Sequence, residues 1–311
     1  EEQRMEELSW KREEISWKRK EGRPPMEMAE SRGVPLLTFP ALSETGLVRH
    51  GFSTRMGGVS CGPYASMNLS FTRGDDPEAV RENYRRAAAA LGVEMESMTL
   101  AWQTHTANVR RVRREDRGKG VVRERDYRDV DGLVTDEPGI TLVTFYADCV
   151  PLYFLDPVRR AIGLSHSGWR GTAARMGRAT LRKMAEEFGT DPGDVIACIG
   201  PSICQDCYEV GAEVAEAFLR EFGPGHREEI LAPGAEPGKY QLDLWKANEI
   251  VLTEAGVRPD HLHVTDICTC CNPSYLFSHR KMGERRGNLC AFLALREPAG
   301  EEGNPQRSAE K

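Results

Sequence analysis

The sequence predicts a mixed α/β fold: a single domain with a mixed β-sheet core flanked by helices. Three observations carry this expectation. Apolar, strand-like runs recur along the chain. Helical patterns fall between some of these runs but not after each, which disfavours regular βαβ alternation. No repeat and no Pro/Gly-rich linker divides the central part. In order, Leu47–Ser53 reads as the first strand. Pro77–Leu91 reads as a helix, with Asp76 as N-cap, proline in the first turn and Gly92 as the stop. Strands are expected at Leu100–Val112, Thr141–Phe145, Leu152–Leu155 and Ala161–Ser165, then a helix at Gly171–Phe188. A strand at Val195–Ile199 precedes helices at Ala212–Phe222 and Leu244–Ala255, the latter closed by Gly256. Leu262–Thr265 and Leu289–Leu295 complete the strands.

Composition bounds the function. The 311 residues suffice for a sizeable core, and 40% hydrophobic with 29% charged residues is globular usage. A net charge of -6 argues against a globally basic nucleic-acid binder. The longest apolar stretch, Ile140–Leu155, is broken by Asp148 and is too short and polar to span a bilayer. The charged N-terminus lacks the apolar core of a signal peptide, so a cytoplasmic protein is expected, with neither membrane nor nucleic acid as partner. Nine cysteines without a secretory signal read as thiols or metal ligands, not as a disulfide framework.

Charge also marks the tails. Residues 1–32 hold nine acidic and eight basic residues and a duplicated heptad, Glu6–Arg12 and Glu13–Arg19. This segment is expected to be a solvated extension, disordered or partly helical. Residues 297–311 are again Gly, Pro and charge and are expected to be disordered. The body, 33–296, is expected to be the folded domain. Within it, Arg110–Arg128 carries nine basic and four acidic residues, which reads as a solvated loop.

Four blocks place polar residues where strands should end: Trp102–His105, Tyr146–Pro151, Ser165–Gly171 and Phe277–Arg280. Two imidazoles and a thiolate from strand ends would make a three-ligand metal site with an open position; copper accepts the same donors. Alone, each histidine reads equally well as a hydrogen-bonded structural residue, and Cys149 as a small buried one. A carboxylate at Asp148, beside a buried thiol, requires a partner.

Ordered motifs then point to one family. Arg49–Arg55, Gly57–Ser60 and Ser66–Leu69 resemble the opening motif of the YfiH, YlmD or laccase-domain proteins. Gln103–His105, Asp131–Thr135, Ala147–Pro151 and His166–Thr172 are similar to its later motifs, the last to a His-Ala-Gly-Trp-Arg-Gly-Thr signature. Ile199–Ile203, Cys207–Gly211 and Cys268-Thr269 follow in order, so the likeness covers residues 34–296. The resemblance implies an α/β YfiH-like domain and a metal, zinc with copper as the variant, held by His105, Cys149 and His166. It implies phosphorolysis of adenosine, inosine, guanosine and methylthioadenosine, with adenosine deamination; purine nucleosides and phosphate are the expected partners. A copper-dependent polyphenol oxidase and a peptidoglycan-editing hydrolase are the alternatives in the same family. Nothing in the sequence selects monomer over homodimer.

Two positions depart from the pattern. His279 stands where the family has tyrosine, and Asn288 where it has arginine, with Arg285 and Arg286 just before. Either phosphorolysis is weakened or Arg286 substitutes. For deamination, Asp148 is the expected proton shuttle, or alternatively the carboxylate that orients a metal-bound histidine. For phosphorolysis, Arg55 beside Gly57-Gly58 and Arg170 beside Gly168 and Gly171 are the expected oxyanion cradle. Glu209 reads as structural. Cys204-x-x-Cys207 with Cys268-x-Cys270-Cys271 would supply four thiolates, but the second group does not read as a zinc knuckle, and a structural or redox role competes.

Overall fold

The structure, a computed structural model, describes residues 24–298 together with Ile15 and Lys18. Most of the charged N-terminal extension and the tail beyond 298 lie outside the described residues. Two six-stranded mixed sheets and a three-stranded one form the frame. The first contains β1 (Glu27–Ser31), β2 (Val34–Thr38), β3 (Val48–Ser53), β4 (Met98–Leu100), β7 (Thr141–Tyr146) and β15 (Leu289–Leu295), in the order β1-β2-β3-β15-β7-β4. The second contains β5 (Val109–Arg111), β6 (Gly132–Thr135), β8 (Val150–Asp156), β9 (Ala161–Ser167), β10 (Ile196–Ile199) and β14 (Leu262–Val264), in the order β14-β10-β8-β9-β6-β5. The small sheet is β11 (Glu209–Gly211), β12 (Leu231–Pro233) and β13 (Lys239–Leu242).

The two large sheets face each other because their strands alternate. Leu289, Ala291, Leu293 and Leu295 of β15 point into the shared core, as do Tyr153 and Leu155 of β8 and Ile162 and Leu164 of β9. The intervening residues face outward: Cys290 and Phe292 on one side, Leu152 and Phe154 on the other. Helices cover both outer faces. Short α1 is Pro40–Ser43, and α2 (Pro77–Leu91) lays Val80, Tyr84, Ala87, Ala88 and Leu91 on the first sheet. On the second sheet lie α3 (Trp169–Ala173), α4 (Met176–Phe188), α5 (Ala212–Phe222), α6 (Arg227–Ile230) and α7 (Leu244–Glu254). A single turn, α8 (His279–Met282), precedes β15. Among the described residues no helix is long and apolar enough to cross a membrane.

Local chemistry explains several boundaries. In α2 the Asp76 carboxylate accepts the Glu78 N–H, Pro77 opens the helix and Gly92 closes it at φ 69. The β1–β2 hairpin turns on Arg32 and Gly33, both at positive φ (53 and 76), the pair of conformations a two-residue type I′ loop needs. Residues 27–31 therefore form an exposed edge strand, although their charge assigned them to the extension. The helix expected at Gly171–Phe188 is two helices. Arg175 sits between them at φ 58, and its guanidinium pairs with Glu221 and Glu254. The strand expected at Leu100–Val112 is interrupted by a loop over 101–108 that carries His105.

Leu164 is fully buried between the two large sheets. Leu164→Ala should therefore lower unfolding free energy by about 2–5 kcal/mol, read as a shifted denaturant midpoint with an unchanged slope.

Candidate metal centre

Three turns meet where the sheets are joined. The chain leaves β7 in the first sheet and enters β8 in the second through Ala147, Asp148 and Cys149. That crossing puts Cys149 beside His166, near the end of β9, and beside the loop bearing His105. One donor atom from each of His105, Cys149 and His166 lies within 4.8 Å of the others. A zinc ion bonded at about 2.0–2.3 Å to each donor asks for spacing of this order. The imidazole rings of His105 and His166 stand 5.0 Å apart at 76°. His166 is 3% exposed, Cys149 half-buried and His105 exposed, so the cluster opens to one side.

Asp131 organises this cluster. Its carboxylate, wholly buried, accepts the backbone N–H groups of Thr104, His105 and Thr106 at 3.0 Å each. It also accepts the Thr106 hydroxyl at 2.9 Å, and His166 Nδ1 lies 2.9 Å from Oδ1. With Nδ1–H given to the carboxylate, Nε2 of His166 is left as the donor to a metal. The three N–H bonds also hold His105 at φ 65. Burial opposes the charge on Asp131, but the bond and proximity to His166 and the N–H groups hold its carboxyl near 2. Burial likewise pushes the Cys149 thiol up, yet His166 and His105 bring it down to about 6. Burial lowers His166, but the Cys149 thiolate and Asp131 raise it to about 9. The same contacts favour the thiolate form of Cys149 and the protonated form of His166.

Space for the ion is kept by Gly168. A Cβ built there would stand 3.0 Å from Cys149 Sγ and 3.0 Å from His105 Cδ2. The loop itself is anchored by Gln103, whose side-chain amide bonds both the N–H (2.7 Å) and the carbonyl (2.8 Å) of Phe145, in place of a strand neighbour.

The donors open into a cavity of about 670 Å³. Aromatic rings of Phe71, Trp102, Phe145, Tyr146 and Tyr208 line it, and so do the arginines Arg73, Arg125, Arg280 and Arg286. Arg286 is 8% exposed, and its buried Nε has no partner among the described residues; burial lowers its pKa to about 10. It bonds Asn288 Oδ1, so Asn288, which departs from the family pattern, and Arg286, the arginine expected to substitute for it, meet in the wall. His279 also lines the cavity and is exposed.

The other expected residues divide. Asp148, 8% exposed, is in the wall beside Cys149, at φ 100. Its Oδ1 accepts the Thr269 hydroxyl at 2.6 Å and its Oδ2 the Arg280 N–H at 2.7 Å. The histidine-orienting carboxylate is Asp131 instead. Arg55 is not among the cavity-lining residues. Its guanidinium bonds the carbonyls of Ala65 (2.8 Å) and Pro273 (2.9 Å) and lies 4.7 Å above the Phe277 ring, joining two loops. Arg170 is exposed and stacks on Trp169, also outside the cavity lining. Glu209 accepts the Ala235 N–H at 2.9 Å. Part of the basic run around Arg110–Arg128 is tied up locally: Lys119 pairs with Asp116 (2.7 Å) and Asp126 (2.9 Å), and Arg110 with Asp116 (3.1 Å).

Residues 49–296 match the family described as multi-copper polyphenol oxidoreductase laccase. The chain belongs to that family. It is 35% identical over 251 residues to the purine nucleoside phosphorylase YlmD of Bacillus subtilis, covering 79% of this chain and 88% of that relative. It is 34% identical over 238 residues to an adenosine deaminase, RL5, of an unknown prokaryotic organism, covering 76% and 90%. The crystal structure of the hypothetical protein YfiH of Bacillus licheniformis superposes with TM-score 0.82 at 30% identity, covering 88% of this chain and all of that one. The mixed α/β architecture is therefore the family fold.

Two substitutions probe the centre. Asp131→Asn removes the charge that fixes the His166 tautomer and should weaken metal binding about 10–100-fold, measured by competition with a chromophoric chelator. Gly168→Ala should weaken binding while leaving the far-UV circular dichroism unchanged, because its added methyl meets the donors and not the backbone.

Proposed function

We propose that this protein is a zinc-dependent purine nucleoside phosphorylase acting on adenosine, inosine, guanosine and methylthioadenosine, and that the same site deaminates adenosine. One observation carries the reading: the His105–Cys149–His166 cluster opens into the same cavity that is lined by aromatic rings and four arginines. The phosphorylase and deaminase names of the relatives agree with it. A volume of about 670 Å³ suits a nucleoside with phosphate.

Each part of the wall has a task in this reading. Zinc, when bound, supplies Lewis-acid polarisation and a lowered pKa for water. The rings of Trp102, Phe145 and Tyr208 offer faces for the purine. Arg73, Arg280 and Arg286 gather the phosphate, with guanidinium forks suited to its oxygens. Because Arg55 and Arg170 lie outside the cavity lining, the cradle proposed here does not use them directly. Arg55 positions the 54–68 loop, whose Asn68 accepts the Asn288 N–H at 3.0 Å and so steadies the wall near Arg286. Asp148 holds and returns the proton that moves from water to the purine ring nitrogen, kept in place by Thr269 and the Arg280 N–H. Asp131 keeps His166 in one tautomer. A copper oxidase of phenols would require clustered histidines for several coppers. Among the described residues the donor clusters are one His₂Cys set and one of four cysteines.

The test is product analysis by chromatography. Zinc-loaded protein should release hypoxanthine from inosine only when phosphate is present, and convert adenosine to inosine without it. Cys149→Ala and His166→Ala should abolish both reactions. Arg286→Ala should cut phosphorolysis about 10–100-fold, the worth of a charge-assisted bond of about 1.5–3 kcal/mol, while adenosine deamination persists. Failure of purified protein to form any free base or inosine would overturn the proposal.

A further inference from the structure

A second donor cluster lies apart from the first. Cys204, Cys207, Cys268 and Cys271 bring four Sγ atoms within 4.8 Å of one another. The first pair sits on the turn after β10. The second sits on the loop after β14, which runs parallel to β10, and a bridge from Ser202 to Cys268 continues that pairing. Each pair has C-x-x-C spacing; Cys270 is left out of the cluster. Two C-x-x-C pairs are the ligand set of structural zinc sites.

Distances agree with an ion and not with bonded sulfurs. Cys207 Sγ is 3.5 Å from Cys271 Sγ, and Cys204 Sγ is 4.0 Å from it. A tetrahedral ion with Zn–S bonds of about 2.3 Å separates its sulfurs by about 3.8 Å, and a disulfide needs about 2.05 Å. All four thiols are free. A backbone N–H is aimed at one of the sulfurs: the Cys204 N–H donates to Cys268 Sγ at 3.2 Å, while the Cys207 N–H donates to the Cys204 carbonyl at 3.1 Å. Four thiolates around a divalent ion leave two negative charges, which such a donor helps to offset. Lys18 adds a cation at the same turn, its Nζ 3.0 Å from Asp206.

We propose that Cys204, Cys207, Cys268 and Cys271 form a second, closed zinc centre of structural type. All four positions are taken by protein sulfur, so no place is open for water or substrate. Its location gives it a purpose. The first loop carries Ile203 and Tyr208 into the cavity wall, and the Ile203 N–H holds the Asp148 carbonyl at 3.0 Å. The second loop carries Thr269, which bonds the Asp148 carboxylate. The ion thus clips together the two loops that hold Asp148.

Metal analysis of protein purified under reducing conditions tests this without relying on turnover. Wild type should carry two zinc ions per chain. Cys149→Ala/His166→Ala should retain one, and in its cobalt-substituted form should show the intense visible bands of a tetrahedral thiolate site. Cys207→Ser/Cys271→Ser should also hold one zinc, lack those bands and melt at a lower temperature. If that variant does not fold, the Cys149→Ala/His166→Ala protein alone decides. One zinc in wild type with none in Cys149→Ala/His166→Ala, or disulfides among these cysteines by mass, would overturn the proposal.

Discussion

A single buried carboxylate bears the geometry of the centre. Asp131 gathers three consecutive backbone N–H groups, a hydroxyl and an imidazole, so its charge is buried with hydrogen bonds in place of water. An isolated buried charge would cost several kcal/mol; this one is compensated only if the 104–106 loop and His166 take their observed places. The constraint is mutual. The loop cannot relax without uncovering Asp131, and His166 cannot turn without losing its Nδ1 partner. His105 is held in a left-handed conformation, which non-glycine residues adopt at some cost.

The sheet architecture makes the carboxylate's reach possible. Asp131 directly precedes β6, which pairs with β9, so it lies opposite His166. Cys149 arrives from the other direction, on the chain crossing between the sheets. No helix supplies a donor to this cluster; the helices close the outer faces and so keep the two sheets, and hence the three turns, in register. The same crossing presents Asp148 to the loops that carry the four-cysteine cluster, which links the two sites through one short turn.

Much of this was legible in the sequence where the cause is local. Asp76, Pro77 and Gly92 state the ends of α2 by their own chemistry, and β15 is an uninterrupted apolar run bounded by polar residues. The trio His105, Cys149 and His166 stood out as polar residues at strand ends. What could not be read has distant causes. The break at Arg175 carries a guanidinium whose partners, Glu221 and Glu254, are 46 and 79 residues away. The break after Leu100 comes from Gln103 finding Phe145 and the loop finding Asp131. Asp131 itself lay in a noted motif, but a carboxylate's partners are not written in spacing. Arg73 and Arg125 reach the cavity only through the fold, whereas Arg55 and Arg170, beside glycines, looked like oxyanion binders and are placed elsewhere. In Cys268-Thr269-Cys270-Cys271 the adjacent third cysteine hid a regular C-x-x-C pair that the structure separates out.

The most direct measurement of the central claim is an anomalous-difference map at the zinc edge from crystals of the zinc-loaded protein. The account predicts a peak shared by Cys149 Sγ, His105 and Nε2 of His166, with His166 Nδ1 still on Asp131. A peak coordinated through His166 Nδ1, or no peak between these three residues, would contradict it.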